Sequence, residues 1–315
     1  MELIYRAFGL TISSELALPG LPQAEGPPDV HVRRAAVPPW QGEYTVHHGD
    51  RRRIRGQEWA VRFKALRFAA LILDGNQIQF EADPAQDELA SLHILGSCTG
   101  AVLVQRGLVV LHGNTIATQH GAVMVVGRIG AGKSATTLAL LNRGNRLVSD
   151  DISAIRFDET KHPEVVPGFP RLKLWKATLD QFGYDPVQLE RLRPGLEKYY
   201  YPVEGRFSSG PERLRAIYIL QPRDTGDVRL RTLTGLAKLD ALRPQLYKIR
   251  FADAIRNWPN LLGKLCRLAD TVRVSIIERP GDRNTIDAVA DAIEKDISSI
   301  PTVSQGPRSA AGSAA

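Results

Sequence analysis

A glycine-rich stretch with one lysine and one serine carries the clearest chemistry in this sequence. It reads Gly-Arg-Ile-Gly-Ala-Gly-Lys-Ser from Gly127 to Ser134, the spacing of a P-loop motif. Val123–Val126 before it predict a short buried strand, and Ala135–Leu141 after it predict a helix. In that order, backbone N–H groups and a helix N-terminus face one anion. The motif therefore predicts a site for the phosphates of a nucleoside triphosphate such as ATP.

The candidate nucleotide-binding residues form one continuous run, namely Gly127, Arg128, Ile129, Gly130, Ala131, Gly132, Lys133, Ser134 and Ala135. We expect Lys133 to reach the β- and γ-phosphates, and the Ser134 hydroxyl to complete the shell of a Mg²⁺ ion. The alternative is a glycine-rich turn that matches the motif without binding a ligand.

Two adjacent aspartates, Asp150 and Asp151, end the next predicted strand, which begins at Arg146. An apolar strand that ends in carboxylates beside a P-loop is where a metal-binding or base carboxylate is expected. The alternative is an Asp-Asp pair that only terminates the strand.

The pattern along the chain divides it into three regions and predicts an α/β protein. Residues 1–84 contain short alternating segments, typical of an N-terminal β-rich domain with a small antiparallel sheet, and Asp74-Gly75-Asn76 predicts a hairpin turn. Residues 85–300 hold the P-loop core, with a helix predicted over Ala85–Gln105 and an irregular loop over Pro163–Leu174. Residues 301–315 are small and polar, which predicts a disordered tail.

Composition excludes several classes of protein. Of the 315 residues, 43% are hydrophobic and 24% are charged, as in an ordinary globular chain. No apolar run approaches the ~20 residues that span a bilayer, so we expect no membrane partner. The two cysteines, Cys98 and Cys266, lie in apolar helical patterns typical of buried thiols, which fits a reducing cytoplasm.

The net charge of +7 suits an acidic ligand, and ATP alone would satisfy it. The densest basic cluster is Arg51–Arg53 with Arg55. It could contact nucleic acid, but no interleaved aromatic residue or DNA-reading motif accompanies it. A solvated loop is therefore the favoured interpretation, and we expect no nucleic-acid partner.

The ordered combination of Leu111-His112-Gly113, the P-loop motif and Arg146-Leu-Val-Ser-Asp150-Asp151 resembles the kinase domain of HPr kinase/phosphorylase. That family phosphorylates a serine hydroxyl on a protein, with a P-loop core related to phosphoenolpyruvate carboxykinase. The resemblance covers about residues 108–222. It implies the same core fold here, ATP and Mg²⁺ as cofactors, and, because HPr kinases form hexamers, a homo-oligomer.

The resemblance also implies roles for individual residues. Asp150 corresponds to the general base that takes the proton of the substrate serine, and Asp151 to its partner near the metal and the attacking oxygen. His112 corresponds to the residue that holds the base. Arg206, in a Gly-Arg turn, corresponds to a mobile-loop arginine that stabilises phosphate charge. With Lys133 these are the predicted catalytic residues, and Ser134 and Asp151 are the predicted metal ligands.

Two departures point to a narrower group. Ala135 stands where the family has a glutamate, and Pro167–Trp175 replaces its glycine-rich loop. The latter segment and the opening around Tyr5–Ile12 resemble HPr-kinase-like proteins of lasso-peptide gene clusters. That resemblance implies phosphorylation of a C-terminal serine on a ribosomal precursor peptide. An HPr-like carrier protein stays open as the acceptor, as does a non-catalytic nucleotide-binding regulatory module.

Within that replaced loop, Arg171 and Lys173 are candidates for binding phosphate or a peptide carboxylate. The alternative is that both are surface cations beside packing residues.

Overall fold

A computed structural model describes residues 2–38, 45–47, 50–55, 58–63, 68–203, 205–224, 226–247, 258–281 and 284–301. The chain has a mixed α/β architecture with several sheets, as its sequence predicts. The predicted disordered tail lies outside the described residues, apart from residue 301.

The N-terminal region forms an eight-stranded sheet in the order β1-β2-β3-β8-β7-β6-β5-β4. Its strands are β1 (Leu3–Ala7), β2 (Leu10–Ser14), β3 (Val30–Arg34), β4 (Thr45–His47), β5 (Asp50–Arg55), β6 (Glu58–Phe63), β7 (Phe68–Leu73) and β8 (Gln77–Ala82). The prediction of an antiparallel sheet was wrong in part, because β3 pairs in parallel with both β2 and β8. The long connection between β2 and β3 gives the chain room to return in the same direction.

Two predictions about connections in this sheet have opposite outcomes. The hairpin turn is confirmed, since Asp74 and Gly75 both take positive φ angles, 50° and 66°, between β7 and β8. The solvated loop at the arginine cluster was wrong, because residues 50–55 form strand β5. This strand pairs with β4 on one side and β6 on the other, and this pairing outweighs the low strand propensity of its sequence.

The predicted helix over Ala85–Gln105 is helical throughout but changes its winding. A 3-10 turn at Pro84–Gln86 leads into α1 (Asp87–His93), a π-helical turn (Ile94–Cys98) and α2 (Thr99–Gln105). Asp83 caps the start by accepting from the backbone N–H of Ala85. The segment packs on the eight-stranded sheet in one hydrophobic core, so the boundary at residue 84 stays a prediction.

The second sheet has nine strands and carries the predicted P-loop segment. Its members are β9 (Val109–Leu111), β10 (Gly113–Thr118), β11 (Gly121–Gly127), β12 (Arg146–Ser149), β13 (Ser153–Phe157), β14 (Pro163–Val166), β17 (Glu212–Arg223), β18 (Arg229–Thr232) and β19 (Arg273–Pro280). Strands β11, β17 and β19 run parallel as neighbours. Their C-terminal ends therefore meet at one edge of the sheet.

The irregular loop predicted over Pro163–Leu174 was wrong. The segment forms β14 and then β15 (Arg171–Trp175), which pairs with β16 (Lys198–Pro202) in a separate two-stranded sheet. Its prolines disguise the strands, because Pro163 begins β14 while Pro167 and Pro170 lie between β14 and β15, where no ladder hydrogen bond is lost.

Among the described residues, five more helices follow: α3 (Lys133–Asn142), α4 (Lys176–Gln181), α5 (Leu236–Leu242), α6 (Trp258–Thr271) and α7 (Ile286–Ser298). α3 and α7 share a core with one face of the sheet, whereas α5 and α6 pack in the core of the other face. Within the described parts of the chain, no helix combines the length and apolarity needed to span a bilayer. Neither cysteine forms a disulfide with a described residue; Cys98 is buried and Cys266 is half-buried.

Candidate functional site

The Gly127–Ser134 loop connects β11 to α3 as the sequence predicts. Gly127, Gly130 and Gly132 have φ angles of 139°, 82° and 99°, a conformation that residues with a Cβ rarely adopt. A Cβ on Gly127 would also lie 2.7 Å from the backbone oxygen of Leu220 on β17. Glycine is therefore required for the tight turn at the end of the strand.

Lys133 folds back over this loop. Its Nζ donates to the backbone oxygens of Gly127 at 2.8 Å and Arg128 at 3.3 Å. Burial lowers the pKa of Lys133, and the charge of Asp151 opposes that effect. Ile129 at the loop tip is 90% exposed while Ala131 is buried. The tip of the loop is thus open to solvent, and Lys133, the first residue of α3, lies over the loop backbone.

Arg279, which sequence reasoning missed, also lies against the loop. Its Nη1 donates to the backbone oxygen of Ala131 at 3.2 Å and would be 2.3 Å from a Cβ on Gly132. Burial alone lowers the pKa of this arginine, and its Nε is buried without a hydrogen-bond partner. No carboxylate of the described residues forms an ion pair with it. The available signal was its place at the C-terminal end of a strand parallel to β11.

Asp150 and Asp151 follow β12 directly. Asp150 is 5% exposed, and its Oδ2 accepts from the backbone N–H of Lys173 at 3.0 Å. Asp151 has a φ angle of 69°, in the left-handed region that a non-glycine residue enters at a cost. Its Oδ2 lies 3.3 Å from the Lys173 Nζ. The strained turn and β15 together hold two consecutive carboxylates close to the same lysine.

The surroundings shift the two carboxyl groups in opposite directions. Burial raises the pKa of Asp150 to about 6, with the charge of Asp151 adding to the rise and Lys173 and Lys198 opposing it. Burial would also raise the pKa of Asp151, but the charges of Lys173, His112 and Lys198 outweigh it and lower that pKa to about 2. At neutral pH Asp151 is thus firmly ionised, while Asp150 is poised to exchange a proton.

His112, at the junction of β9 and β10, contacts Asp151 rather than Asp150. Its Nδ1 lies 3.0 Å from the Asp151 backbone oxygen and 3.2 Å from Oδ1. Burial lowers the pKa of His112, partly offset by the charge of Asp151. His112 is therefore hydrogen-bonded within the site, and its partner there is Asp151. Its expected role in holding the base stays a prediction.

Asn114 on β10, a second residue that sequence reasoning missed, links the aspartates to the loop. Its Oδ1 accepts from the backbone N–H of Asp151 at 3.2 Å, and its Nδ2 donates to Ser134 Oγ at 3.5 Å. The side chain is almost fully buried. The available signal was weak, because Asn114 is one of three polar residues in the short strand β10.

Lys173 and Lys198 place positive charge near the two aspartates. Lys173, on β15, is largely buried, and the charges of Asp151 and Asp150 raise its pKa against the effect of burial. Lys198, on β16, acts on Asp150, Asp151 and Lys133 through its charge. Lys173 is therefore a buried lysine paired with Asp151, which argues against the alternative that it is only a surface cation.

Arg206 is not brought to this site. Its guanidinium donates to Asn142 Oδ1 at 3.4 Å and to the Tyr201 hydroxyl at 3.2 Å. Asn142 ends α3 whereas Lys133 begins it, and ten helical residues span about 15 Å. Arg279, and not Arg206, donates to the loop backbone, so the arginine expected from sequence lies away from the loop.

A metal ion at this site would depend on the nucleotide. No group of three or more His, Cys, Asp or Glu side chains suited to a metal occurs among the described residues. Mg²⁺ commonly takes only one or two protein ligands and completes its shell with phosphates and water. Ser134 and Asp151, each hydrogen-bonded to Asn114, carry a hydroxyl and a carboxylate, two ligand types that Mg²⁺ accepts. Their chemistry is compatible with a magnesium ion that arrives with a triphosphate.

No family model and no curated protein matches the sequence. Among solved structures, the chain is similar to the Hpr(Ser) kinase/phosphatase from Coxiella burnetii, with a TM-score of 0.32 and 14% identity. The similarity covers 59% of this chain and 89% of that one. A similarity this low assigns neither a family nor a function to the chain.

Proposed function

We propose that this chain is a Mg²⁺- and ATP-dependent serine kinase whose acceptor is a peptide that ends in serine. One observation supports it most: the buried Asp150 carboxyl group, whose pKa burial raises, directly precedes Asp151, and Asn114 links Asp151 to the Gly127–Ser134 loop. A module that only binds nucleotide needs no proton acceptor beside its phosphates. The peptide acceptor itself comes from the resemblance in the sequence.

In this proposal the glycine loop and Lys133 hold the β- and γ-phosphates. Asp150 takes the proton of the serine hydroxyl while the serine oxygen bonds to the γ-phosphorus. The bond between the γ-phosphorus and the oxygen that bridges it to the β-phosphate breaks, and ADP leaves. Bound Mg²⁺ would neutralise phosphate charge, held by Ser134 and Asp151. Asn114 and His112 position Asp151, and Arg279 adds a cation beside the loop. Residues 85–300 would form this catalytic region.

Lys133 moves in this scheme from its own loop to the phosphates. Its present acceptors are two backbone oxygens of the loop, which a bound triphosphate would replace. Exchanging neutral carbonyls for phosphate oxygens strengthens each hydrogen bond, because both partners are then charged.

The test is mass spectrometry after the protein has been mixed with ATP, Mg²⁺ and a peptide that ends in serine. A matched peptide that ends in alanine and an HPr protein serve as parallel acceptors. We expect the mass of one phosphoryl group on the serine-ended peptide alone. A gain on HPr alone would replace the acceptor, and no gain on any acceptor with ATP still bound would contradict kinase activity.

A further inference from the structure

A cavity lies apart from the glycine loop, between the Gly20–Pro22 turn and the β15–β16 sheet. It is open to solvent and has a volume of about 430 Å³, within the range of small-ligand sites. Its walls are largely apolar, from Leu21, Pro22, Pro170, Leu189 and Pro202. No residue of the Gly127–Ser134 loop lines it, so the cavity is not part of the phosphate site.

Arg171 supplies a buried cation to this cavity. It is 8% exposed, and its guanidinium carbon lies 3.5 Å from the centroid of the Tyr200 ring, which also lines the cavity. Its Nε is buried and has no hydrogen-bond partner. Glu190 at the exposed rim and the buried Asp150 act on the guanidinium through their charge, but no carboxylate in the described parts of the chain forms an ion pair with Arg171. A guanidinium stays charged even where burial lowers its pKa, so Arg171 is a buried cation to which no described carboxylate is hydrogen-bonded.

The cavity adjoins the aspartates through β15. Arg171 and Lys173 are two positions apart on one strand, so they lie on the same face, about 6.6 Å apart along the strand. Lys173 binds Asp150 through its backbone N–H and Asp151 through its Nζ. The charge of Asp150 also acts on Arg171, so the guanidinium lies near this carboxyl group. That arrangement suits the carboxylate and the side chain of the same terminal residue.

We propose that Arg171, stacked on Tyr200, binds the C-terminal carboxylate of the peptide acceptor. This proposal rests on the proposed function for its choice of acceptor. The planar guanidinium matches a carboxylate with paired hydrogen bonds, and the tyrosine ring holds it flat. The apolar walls then enclose the chain that precedes the terminal residue.

The test is a competition for binding that needs no turnover. Peptides randomised at every position before a final serine are made with either a free C-terminal carboxylate or an isotopically distinguished C-terminal amide. Equal amounts are mixed and captured by the immobilised full-length protein, and mass spectrometry gives the ratio of acid to amide. Side-chain carboxylates occur equally in both forms, so the ratio isolates the terminal group.

We expect the wild-type protein to enrich the acid at least tenfold, as for a hydrogen-bonded charged group. Arg171→Gln should reduce the ratio to about one, and Arg171→Lys should leave an intermediate ratio. Arg191→Gln is the matched control, since Arg191 lies over the neighbouring Tyr199 ring, at 5.5 Å, but is exposed. It should keep the wild-type ratio.

A wild-type ratio near one would overturn the proposal without any variant, and so would a folded Arg171→Gln protein that keeps the preference. Phosphorylation of the same mixture separates this proposal from the proposed function. Selective capture of the acid without phosphorylation would support the carboxylate site and contradict the kinase activity. Equal phosphorylation of acid and amide would support the kinase activity and contradict the carboxylate site.

Discussion

Asp150 and Asp151 are adjacent in sequence, yet the charges that face their carboxyl groups differ. Asp151 has the Lys173 ammonium at 3.3 Å and the His112 ring at 3.2 Å, whereas Asp150 is bound by a backbone N–H. In the proposed mechanism the two carboxyl groups therefore have different roles. Asp151 would stay ionised as a ligand or orienting group, and Asp150 would exchange the proton.

The pKa of about 6 for Asp150 gives the pH dependence of phosphoryl transfer a definite sign. The transfer rate should be constant above that pH and fall about tenfold per pH unit below it, because a protonated Asp150 cannot accept the proton of the serine hydroxyl.

Two variants should shift this pH profile in opposite directions. Asp151→Asn should move the fall in rate to lower pH, since it removes a neighbouring negative charge. Lys173→Met should move it to higher pH, since it removes a positive one. Single-turnover rates against pH measure both shifts, and shifts in the same direction would contradict the assignment.

Arg279 should matter for nucleotide binding more than an ordinary surface arginine. Arg279→Gln removes a cation that lies on the loop backbone, and we expect ATP affinity to fall about tenfold, as for a hydrogen bond to a charged group. Calorimetric titration with Mg-ATP measures it, with circular dichroism as the check on folding. Arg223→Gln is the control, because Arg223 is half exposed and pairs with Glu278. Equal affinities of the wild type and Arg279→Gln for Mg-ATP would contradict a role for Arg279 in nucleotide binding.

Among the secondary-structure elements, the sequence predicts correctly those whose pattern lies in one uninterrupted stretch of chain. The strand, glycine loop and helix from β11 to α3 occupy one stretch of chain, so their local pattern was sufficient. It failed at β14 and β15, where prolines suggested a loop although they stand at strand ends. It failed again at β5, whose partners on both sides are set by the sheet and not by its own residues.

The helical segment from α1 to α2 packs more tightly at one glycine than at another. A Cβ on Gly100 in α2 would lie 2.4 Å from Cε1 of Tyr247, whereas one on Gly96 would be 3.8 Å from the Tyr247 hydroxyl. Gly100→Ala should therefore lower the free energy of unfolding by about 1–3 kcal/mol through overpacking. Gly96→Ala should be neutral or slightly stabilising. Urea denaturation measures both, and equal stabilities would contradict the packing at Tyr247.

At the scale of the whole molecule, distant parts of the chain contribute to the β15 region. Phe8, beside β1, packs edge-on against Phe169 with ring centroids 5.2 Å apart, and its backbone N–H donates to the Pro167 oxygen. Gly20 lies against the Arg171 guanidinium, where a Cβ would be 2.5 Å away. The N-terminal region thus forms one wall of the proposed acceptor site.

The same long-range assembly explains which site residues the sequence could not reveal. Asn114 and Arg279 reach the glycine loop through strand pairing, β10 with β11 and β19 with β17. Neither residue stands in a recognisable motif. Arg206 stands in a suggestive Gly-Arg turn, yet its contacts lie at the other end of α3. Local spacing predicted the loop and the aspartates, and only the sheet order places the remaining side chains.

The most direct measurement is the single-turnover rate of phosphoryl transfer to the serine-ended peptide by Asp150→Asn, with ATP affinity measured on the same sample. The substitution keeps the shape of the side chain and removes its capacity to accept a proton. We expect unchanged ATP affinity and a rate reduced by about 100-fold or more, as for loss of a general base. Transfer at the wild-type rate would contradict the central claim that Asp150 is the base of a serine kinase.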